Sequence, residues 1–309
     1  MTISFAPAKR EAINLLVGLV SGTGGGKTRT ALRLATGMSE GQRFVVIDTE
    51  NRRALHYADD FQFDHYDFRP PFSPERFTEA IHAADAANYP VIVVDSASHV
   101  WAGEGGVLDM QENEFIRMGE KESARMASWI KPKMAHKAFV QSLLQVRAHI
   151  IICLRSEQKV EMVRENGRMV VHAKQSLTGI DGHIPICDKN LPFELTTSLL
   201  FTADRPGIPQ PIKLQEQHRA LFPLDRQVNE ESGKLIAEWA RGGVASAAES
   251  LQQYITPDQA IVIGDTIQMH PQLRAQLVKR FGTLAKIPAD KYDSVCKWID
   301  EKIQGAQNG

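Results

Sequence analysis

Lys27 and Thr28 stand directly after Gly24, Gly25 and Gly26, at the end of the apolar run Val17-Gly18-Leu19-Val20. A lysine and a hydroxyl behind successive glycines suit the phosphates of a nucleoside triphosphate. The backbone N–H groups of Gly22, Thr23, Gly24, Gly25 and Gly26 can turn inward as an anion nest, Lys27 can reach the β- and γ-phosphates, and the Thr28 hydroxyl suits Mg²⁺. ATP and Mg²⁺ are therefore the expected cofactors. The common spacing is G-x-x-x-x-G-K-[ST]; here Ser21 occupies the first glycine position and Gly22 follows one residue late. A ligand-free glycine turn is the alternative, but such a turn requires neither Gly-Lys-Thr nor an apolar strand before it.

Two carboxylates belong to the same chemistry. Ile92-Val93-Val94-Asp95 is an apolar run ending in an acid, and Asp95 is expected to hold the Mg²⁺ shell directly or through water. On its own, an aspartate at a strand end more often caps a loop; downstream of Gly-Lys-Thr the metal role is favoured. Val45-Val46-Ile47-Asp48-Thr49-Glu50 ends a second strand, and Glu50 just past it is the candidate base that polarises the water attacking the γ-phosphate. A solvated loop glutamate is the other reading.

These groups need a scaffold that brings several strand ends to one edge. β-branched, apolar runs predict strands at Ile13 to Val20, Phe44 to Asp48, Pro90 to Asp95 and His149 to Leu154. Helical patterning lies between them, at Pro74 to Ala87 and Ser123 to Leu144, and Ala31, Leu34, Ala35 and Met38 continue helically from Thr28. Continuous apolar strands alternating with helices predict an α/β fold with a mostly parallel sheet covered on both faces. Right-handed crossovers then place the strand C-terminal ends on one ligand edge.

After Leu154 the pattern changes. Val160 to Met162 and Met169 to His172 flank Asn166-Gly167, a hairpin signal, and Phe193 to Thr202 and Pro211 to Leu214 read as later strands. Ala102 to Glu122, with Gly103, Gly105 and Gly106, reads as a polar loop. A boundary is expected near Arg241-Gly242-Gly243, after a helix over Glu231 to Trp239. Beyond it, Pro288-Ala289-Asp290 offers a helix start, and Gln272 to Phe281 and Lys291 to Ile303 each carry an apolar stripe. The division expected is a core over residues 1–243 and a small helical C-terminal module over residues 244–309.

Composition narrows the class further. The 309 residues carry a formal net charge of −1, so nucleic-acid contact needs a local basic surface rather than a global field. Cys153, Cys187 and Cys296 are far apart and form no metal or disulfide pattern, which fits a reducing cytoplasm. No apolar run approaches a membrane span, so no membrane partner is expected. The ten histidines show no metal spacing, and His136, among Lys131, Lys133 and Lys137, reads as a surface residue. Phe115, Trp101 and Trp129 read as core rather than as base-stacking platforms, as do Phe281, Tyr292 and Trp298 in the C-terminal module. No Asn-Lys-x-Asp guanine signature is present, because Asp188-Lys189 follows Cys187.

The order Gly-Lys-Thr loop, Ile47-Asp48-Thr49-Glu50-Asn51, Val94-Asp95-Ser96 and Ala124-Arg125-Met126-Ala127-Ser128 resembles the core of RecA-type recombinases. It resembles more closely the phage-encoded single-strand annealing proteins with a RecA-like core, often labelled phage AAA-family ATPases. The resemblance covers residues 13 to 240, and the phosphate loop is its one highly specific motif. It implies a RecA-like P-loop NTPase core, ATPase activity, and binding and annealing of single-stranded DNA. By matched position it makes Glu50 the catalytic glutamate and Asp95 the metal-associated aspartate. The strand His149 to Leu154 becomes the γ-phosphate sensor strand; where RecA proteins carry an amide, this chain has Arg155-Ser156, with Gln158 later. Arg155 could contact the γ-phosphate in cis, act across a subunit boundary, or pair with a surface carboxylate.

The resemblance also assigns DNA contact to the Asn166-Gly167 hairpin, where Lys159, Arg164, Arg168 and Lys174 cluster. Glu157, Glu161 and Glu165 offset these charges, and a solvated hairpin is the alternative. Further partners it implies are copies of the same chain in a homo-oligomer and a single-strand-binding protein, in a bacterial host cytoplasm. A nucleotide-gated DNA-binding scaffold with negligible hydrolysis, and less so a small-molecule kinase, compete with the ATPase reading.

Overall fold

The computed structural model describes residues 13–165, 168–174, 180, 182–242, 255–268, 270–281, 283–284, 287 and 291–307. Among the described residues ten strands form: β1 Leu16–Ser21, β2 Phe44–Asp48, β3 Phe63–Asp67, β4 Val91–Asp95, β5 His149–Gln158, β6 Val160–Glu165, β7 Arg168–Ala173, β8 His183–Pro185, β9 Thr197–Phe201 and β10 Gln210–Lys213. The helices are α1 Lys27–Met38, α2 Pro74–Ala86, α3 Ser98–Ala102, α4 Val107–Arg117, α5 Ile130–Leu143, α6 Leu191–Glu194 and α7 Glu230–Arg241, then α8 Pro257–Thr266, α9 Pro271–Phe281 and α10 Tyr292–Gln307. The chain divides into two compact units, one of them Ile13–Gly242.

In that unit an eight-stranded sheet runs β10-β9-β1-β5-β4-β2-β3, with β8 paired to β5. Its pairings are parallel from β9 to β3; β10 and β8 are antiparallel additions. The strand that ends at the Gly-Lys-Thr loop is thus separated from the Asp95 strand by β5. Alternation explains why the strands read as continuous apolar runs. Val17, Leu19, Val93, Ile151 and Cys153 join the core on the α1 face, while Leu16, Val20, Ile92, Val94, Ile150 and Ile152 join the core on the α2 and α5 face. Both faces are covered, so both alternating sets are apolar.

The helices follow from local chemistry. Ser73 caps α2 by accepting from the Arg76 N–H, Pro74 opens the first turn, and Phe77, Ile81 and Ala84 form the buried stripe. Helix α1 meets α7 through glycines: a Cβ on Gly37 would fall 1.9 Å from the Glu230 carbonyl oxygen, and one on Gly233 would fall 2.3 Å from that of Leu34. Only residues without side chains allow this approach, and Arg33 then pairs with Glu230 at 2.8 Å beside it.

Three expectations are corrected. Residues 102–122 are not simply a loop: α4 forms within them, because Val107, Gln111 and Phe115 repeat every four residues and are buried. The single helix expected over Ser123 to Leu144 is two 3₁₀ turns, Glu122–Ala124 and Ala127–Trp129, followed by α5. His136 is buried rather than on the surface, edge-on to Trp101 at 5.6 Å, and burial holds it below its ordinary pKa. Strand β3 had no sequence signal; Pro288-Ala289-Asp290 lies outside the described residues.

The described residues after Gly242 carry an apolar core of their own. Thr256 and Gln259 form a capping box at the start of α8. Ile263, Ile267, Leu273, Leu277, Ile287, Val295 and Ile299 are buried together, with Phe281, Tyr292 and Trp298 packed against them. No helix among the described residues is long and apolar enough to cross a membrane.

Candidate nucleotide site

The register of the parallel strands gathers the chemistry. Asp48 is the Cα partner of Asp95, Asp95 of Cys153, and Ser21 of Arg155, so β2, β4, β5 and β1 end together on one edge. From β1 the chain turns through Gly24 and Gly26, whose φ angles of 85° and 82° lie in the left-handed region that favours glycine. Gly25 has a different reason for its missing side chain. A Cβ there would meet Ser21 Oγ at 2.2 Å and the Phe201 carbonyl oxygen at 2.6 Å. Ser21 is thereby accommodated at the position where the common motif has glycine; its buried hydroxyl donates to the Gly22 carbonyl at 2.7 Å. The Gly207 N–H donates to Gly25 O at 3.0 Å and ties the loop down from the other side.

At the start of α1, Lys27 Nζ lies 2.9 Å from Asp95 Oδ1 and Thr28 Oγ1 donates to Asp95 Oδ2 at 2.5 Å. Burial works against the Lys27 charge, but Asp95 beside it outweighs burial and holds the ammonium above its ordinary pKa. Beneath them, burial and the Asp95 charge push the Cys153 thiol well up, so it stays neutral.

The end of β2 is organised by Asp48. Its buried carboxylate accepts from the Glu50 N–H at 2.7 Å and the Ala54 N–H at 2.9 Å, and lies 3.1 Å from His65 Nε2. This fixes the turn that carries Glu50, whose mostly buried carboxylate has Arg53 3.8 Å away. Thr49 joins β2 to β4: its hydroxyl donates to Ser96 O at 2.9 Å and accepts from the Ser96 N–H at 2.7 Å. That hydroxyl hydrogen is committed, so His99 Nδ1, 2.6 Å away, carries the proton and donates to Thr49. Burial, with Arg155 and Lys27, holds His99 below its ordinary pKa against the pull of Glu50 and Asp95.

A cleft of about 690 Å³ opens over this edge, lined by Gly22, Thr23, Gly24, Gly26, Lys27, Thr28, Glu50 and Arg155, with Arg53, Tyr57 and Ser156. Arg155 is exposed, and its backbone N–H donates to Ser98 Oγ at 2.8 Å. Ser156 Oγ is buried and among the described residues has no hydrogen-bond partner, a polar atom left for a ligand. The donor set fits a magnesium nucleotide: one hydroxyl and one carboxylate are too few for a protein cage but suit an ion held mainly by phosphates and water. Among the described residues no cluster of three or more metal-binding side chains occurs.

The structure brings Lys27, Thr28, Glu50 and Arg155 to one cleft, with Asp95 buried against Lys27 and Thr28, and leaves the basic hairpin residues elsewhere. Asp48, Thr49, His99, Arg53 and Tyr57 were not found from sequence; the polar Asp-Thr pair closing an apolar strand was the one available sign. β6 and β7 pair antiparallel, with Val160 opposite Ala173 and Arg164 opposite Met169, while the Asn166-Gly167 turn lies outside the described residues. Lys159, Arg164 and Lys174 are exposed, Lys159 Nζ sits 3.1 Å from Glu157, and Arg168 lies in β7. Between these cations the hairpin has an unexpected apolar face, with Val160 66% and Met162 65% exposed beside Met169 and Val171. Of the aromatics, Trp101 and Trp129 stack on each other at 6.1 Å, and Phe115 is buried under Arg125.

A family model described as an AAA domain matches residues 14–179, which span β1 to β7 and include every residue of the cleft named above. No curated protein matches the chain.

Proposed function

The chain belongs to the AAA-domain family of P-loop NTPases, and from that premise we propose that it is an ATPase that binds single-stranded DNA and promotes annealing in recombination, as the phage RecA-like resemblance implies. The observation that carries the nucleotide half is the convergence of Lys27, Thr28 and Asp95, at 2.9 and 2.5 Å, beneath a glycine cradle. Lys27 moves from Asp95 to the β- and γ-phosphates. Thr28 and Asp95 would hold Mg²⁺, which would neutralise phosphate charge. Glu50 takes the proton of the attacking water, and the Asp48 turn aims it. Arg155, exposed at the cleft, offsets charge on the γ-phosphate.

The DNA half is supported by the hairpin. Lys159, Arg164 and Lys174 suit a phosphate backbone, and the apolar face between them suits unpaired bases. β5 runs from the cleft at Arg155 to within one residue of β6, so nucleotide state and hairpin share one strand. The same reading makes the working unit a homo-oligomer.

The test is binding of single- and double-stranded DNA across a salt series, with ATP or ADP. Preference for single strands, a steep salt slope and a difference between ATP and ADP are expected. Equal, negligible binding in every state would overturn the DNA reading.

A further inference from the structure

A cavity of about 190 Å³, the size of one heterocycle, shares Gly26 and Arg29 with the phosphate cleft and continues between α1 and the chain at Pro206, Gly207 and Gln227. Its far wall is strapped to the phosphate loop: the Gly207 N–H donates to Gly25 O at 3.0 Å and the Val228 N–H to Gly207 O at 2.9 Å. Gln227 completes the strap, its Nε2 donating to the Pro206 carbonyl at 3.0 Å. A carbonyl can only accept, so the amide must present its NH₂ to Pro206 O, and this bond fixes which way the amide is turned. Oε1 is left as an acceptor on the exposed Gln227 side chain that lines the cavity, and among the described residues nothing donates to it. Arg33 behind it is committed to Glu230, whereas Arg29 forms no ion pair among the described residues.

We propose that this cavity receives the nucleobase and that Gln227 Oε1 selects a 6-amino purine, adenine, over a 6-oxo purine. The inference rests on the nucleotide reading above and adds the base to it. With the phosphates at the N-terminus of α1, the ribose and base leave past Arg29, which with Gly26 both cavities share. The planar Arg29 guanidinium stacks on the heterocycle. Adenine donates its exocyclic amine to Oε1, whereas a 6-oxo purine sets one acceptor against another, so selection has a repulsive part as well as an attractive one.

The experiment is competition binding of ATP, inosine triphosphate and inorganic tripolyphosphate to the full chain and to Gln227→Leu. ATP and inosine triphosphate differ in the purine 6-substituent and in N1, which accepts in adenine and carries a hydrogen in the 6-oxo purine. The expected result is about tenfold or more tighter binding of ATP in the wild type. In Gln227→Leu the gap narrows to about twofold, by a loss of ATP affinity larger than any loss of tripolyphosphate affinity. A wild-type ratio near one, or a ratio retained in Gln227→Leu, overturns the base assignment while tripolyphosphate binding still supports the phosphate cleft. If all three compounds fail to bind, the nucleotide reading falls and the base assignment with it. The wild-type ratio decides the matter even where the variant does not fold.

Discussion

Thr28 Oγ1 donates to Asp95 Oδ2 across 2.5 Å, joining the first turn of α1 to the end of β4. The two elements lie two strands apart in the sheet, with β5 between β1 and β4. Together with Lys27 at 2.9 Å from the other carboxylate oxygen, the contact sets a cation, a hydroxyl and an acid around one buried point.

Removing one member of that set exposes the others. Lys27→Ala leaves the buried Asp95 carboxylate without its cation, and the expected cost is about 3 kcal/mol of folding stability. Urea unfolding measures it. Adding Asp95→Asn to Lys27→Ala is expected to return part of the loss, because the unpaired charge is gone; additive losses would show that the two side chains do not interact.

Asp48→Ala is expected to lower both stability and turnover. The side chain receives two backbone N–H groups, from Glu50 and Ala54, and their loss costs about 3 kcal/mol. Glu50 then loses its aim, so phosphate release falls more than nucleotide binding does. A turnover equal to wild type in folded Asp48→Ala would show that the turn needs no such anchor.

His149 gives a pH dependence with a definite sign. Its Nδ1 accepts from the Leu15 N–H at 3.1 Å, and burial lowers its pKa from the ordinary 6.5 to about 4. Between those values the unfolded chain binds more protons than the folded one, so stability is present above pH 6.5 and is lost as pH falls towards about 4. The full effect is about 3 kcal/mol. Urea midpoints across that window should fall with acid in the wild type and less steeply in His149→Asn.

Gly37→Ala tests the close approach of α1 and α7. The added methyl falls 1.9 Å from Glu230 O, so the helices must separate, at an expected cost of about 2 kcal/mol in thermal or urea unfolding. A neutral result would mean that α7 shifts freely.

What sequence could reveal depended on burial. The strands β1, β2, β4 and β5 are apolar on both faces, and their runs of Val and Ile were plain. Phe63–Asp67, an edge strand reading Phe-Asp-His-Tyr-Asp, is only partly buried and left no such run. Helix α4 was hidden because it buries only Val107, Gln111 and Phe115, and the apolar Leu108 and Ile116 are exposed and blur the helical stripe. Lys27, Thr28 and Asp95 were legible because a glycine loop and an acid at a strand end are local patterns. The role of Asp48 depends on Ala54 and His65, which only the fold brings to it. The apolar face of the hairpin was masked by its flanking charges.

The central claim is that the cleft hydrolyses ATP with Lys27 on the phosphates and Glu50 as base. Release of phosphate from ATP with Mg²⁺, with and without single-stranded DNA, tests it most directly in wild type, Lys27→Ala and Glu50→Gln. The expected result is turnover in the wild type, at least about 100-fold less in Glu50→Gln with ATP still bound, and background rates with weak binding in Lys27→Ala. Turnover that survives both substitutions would contradict the account.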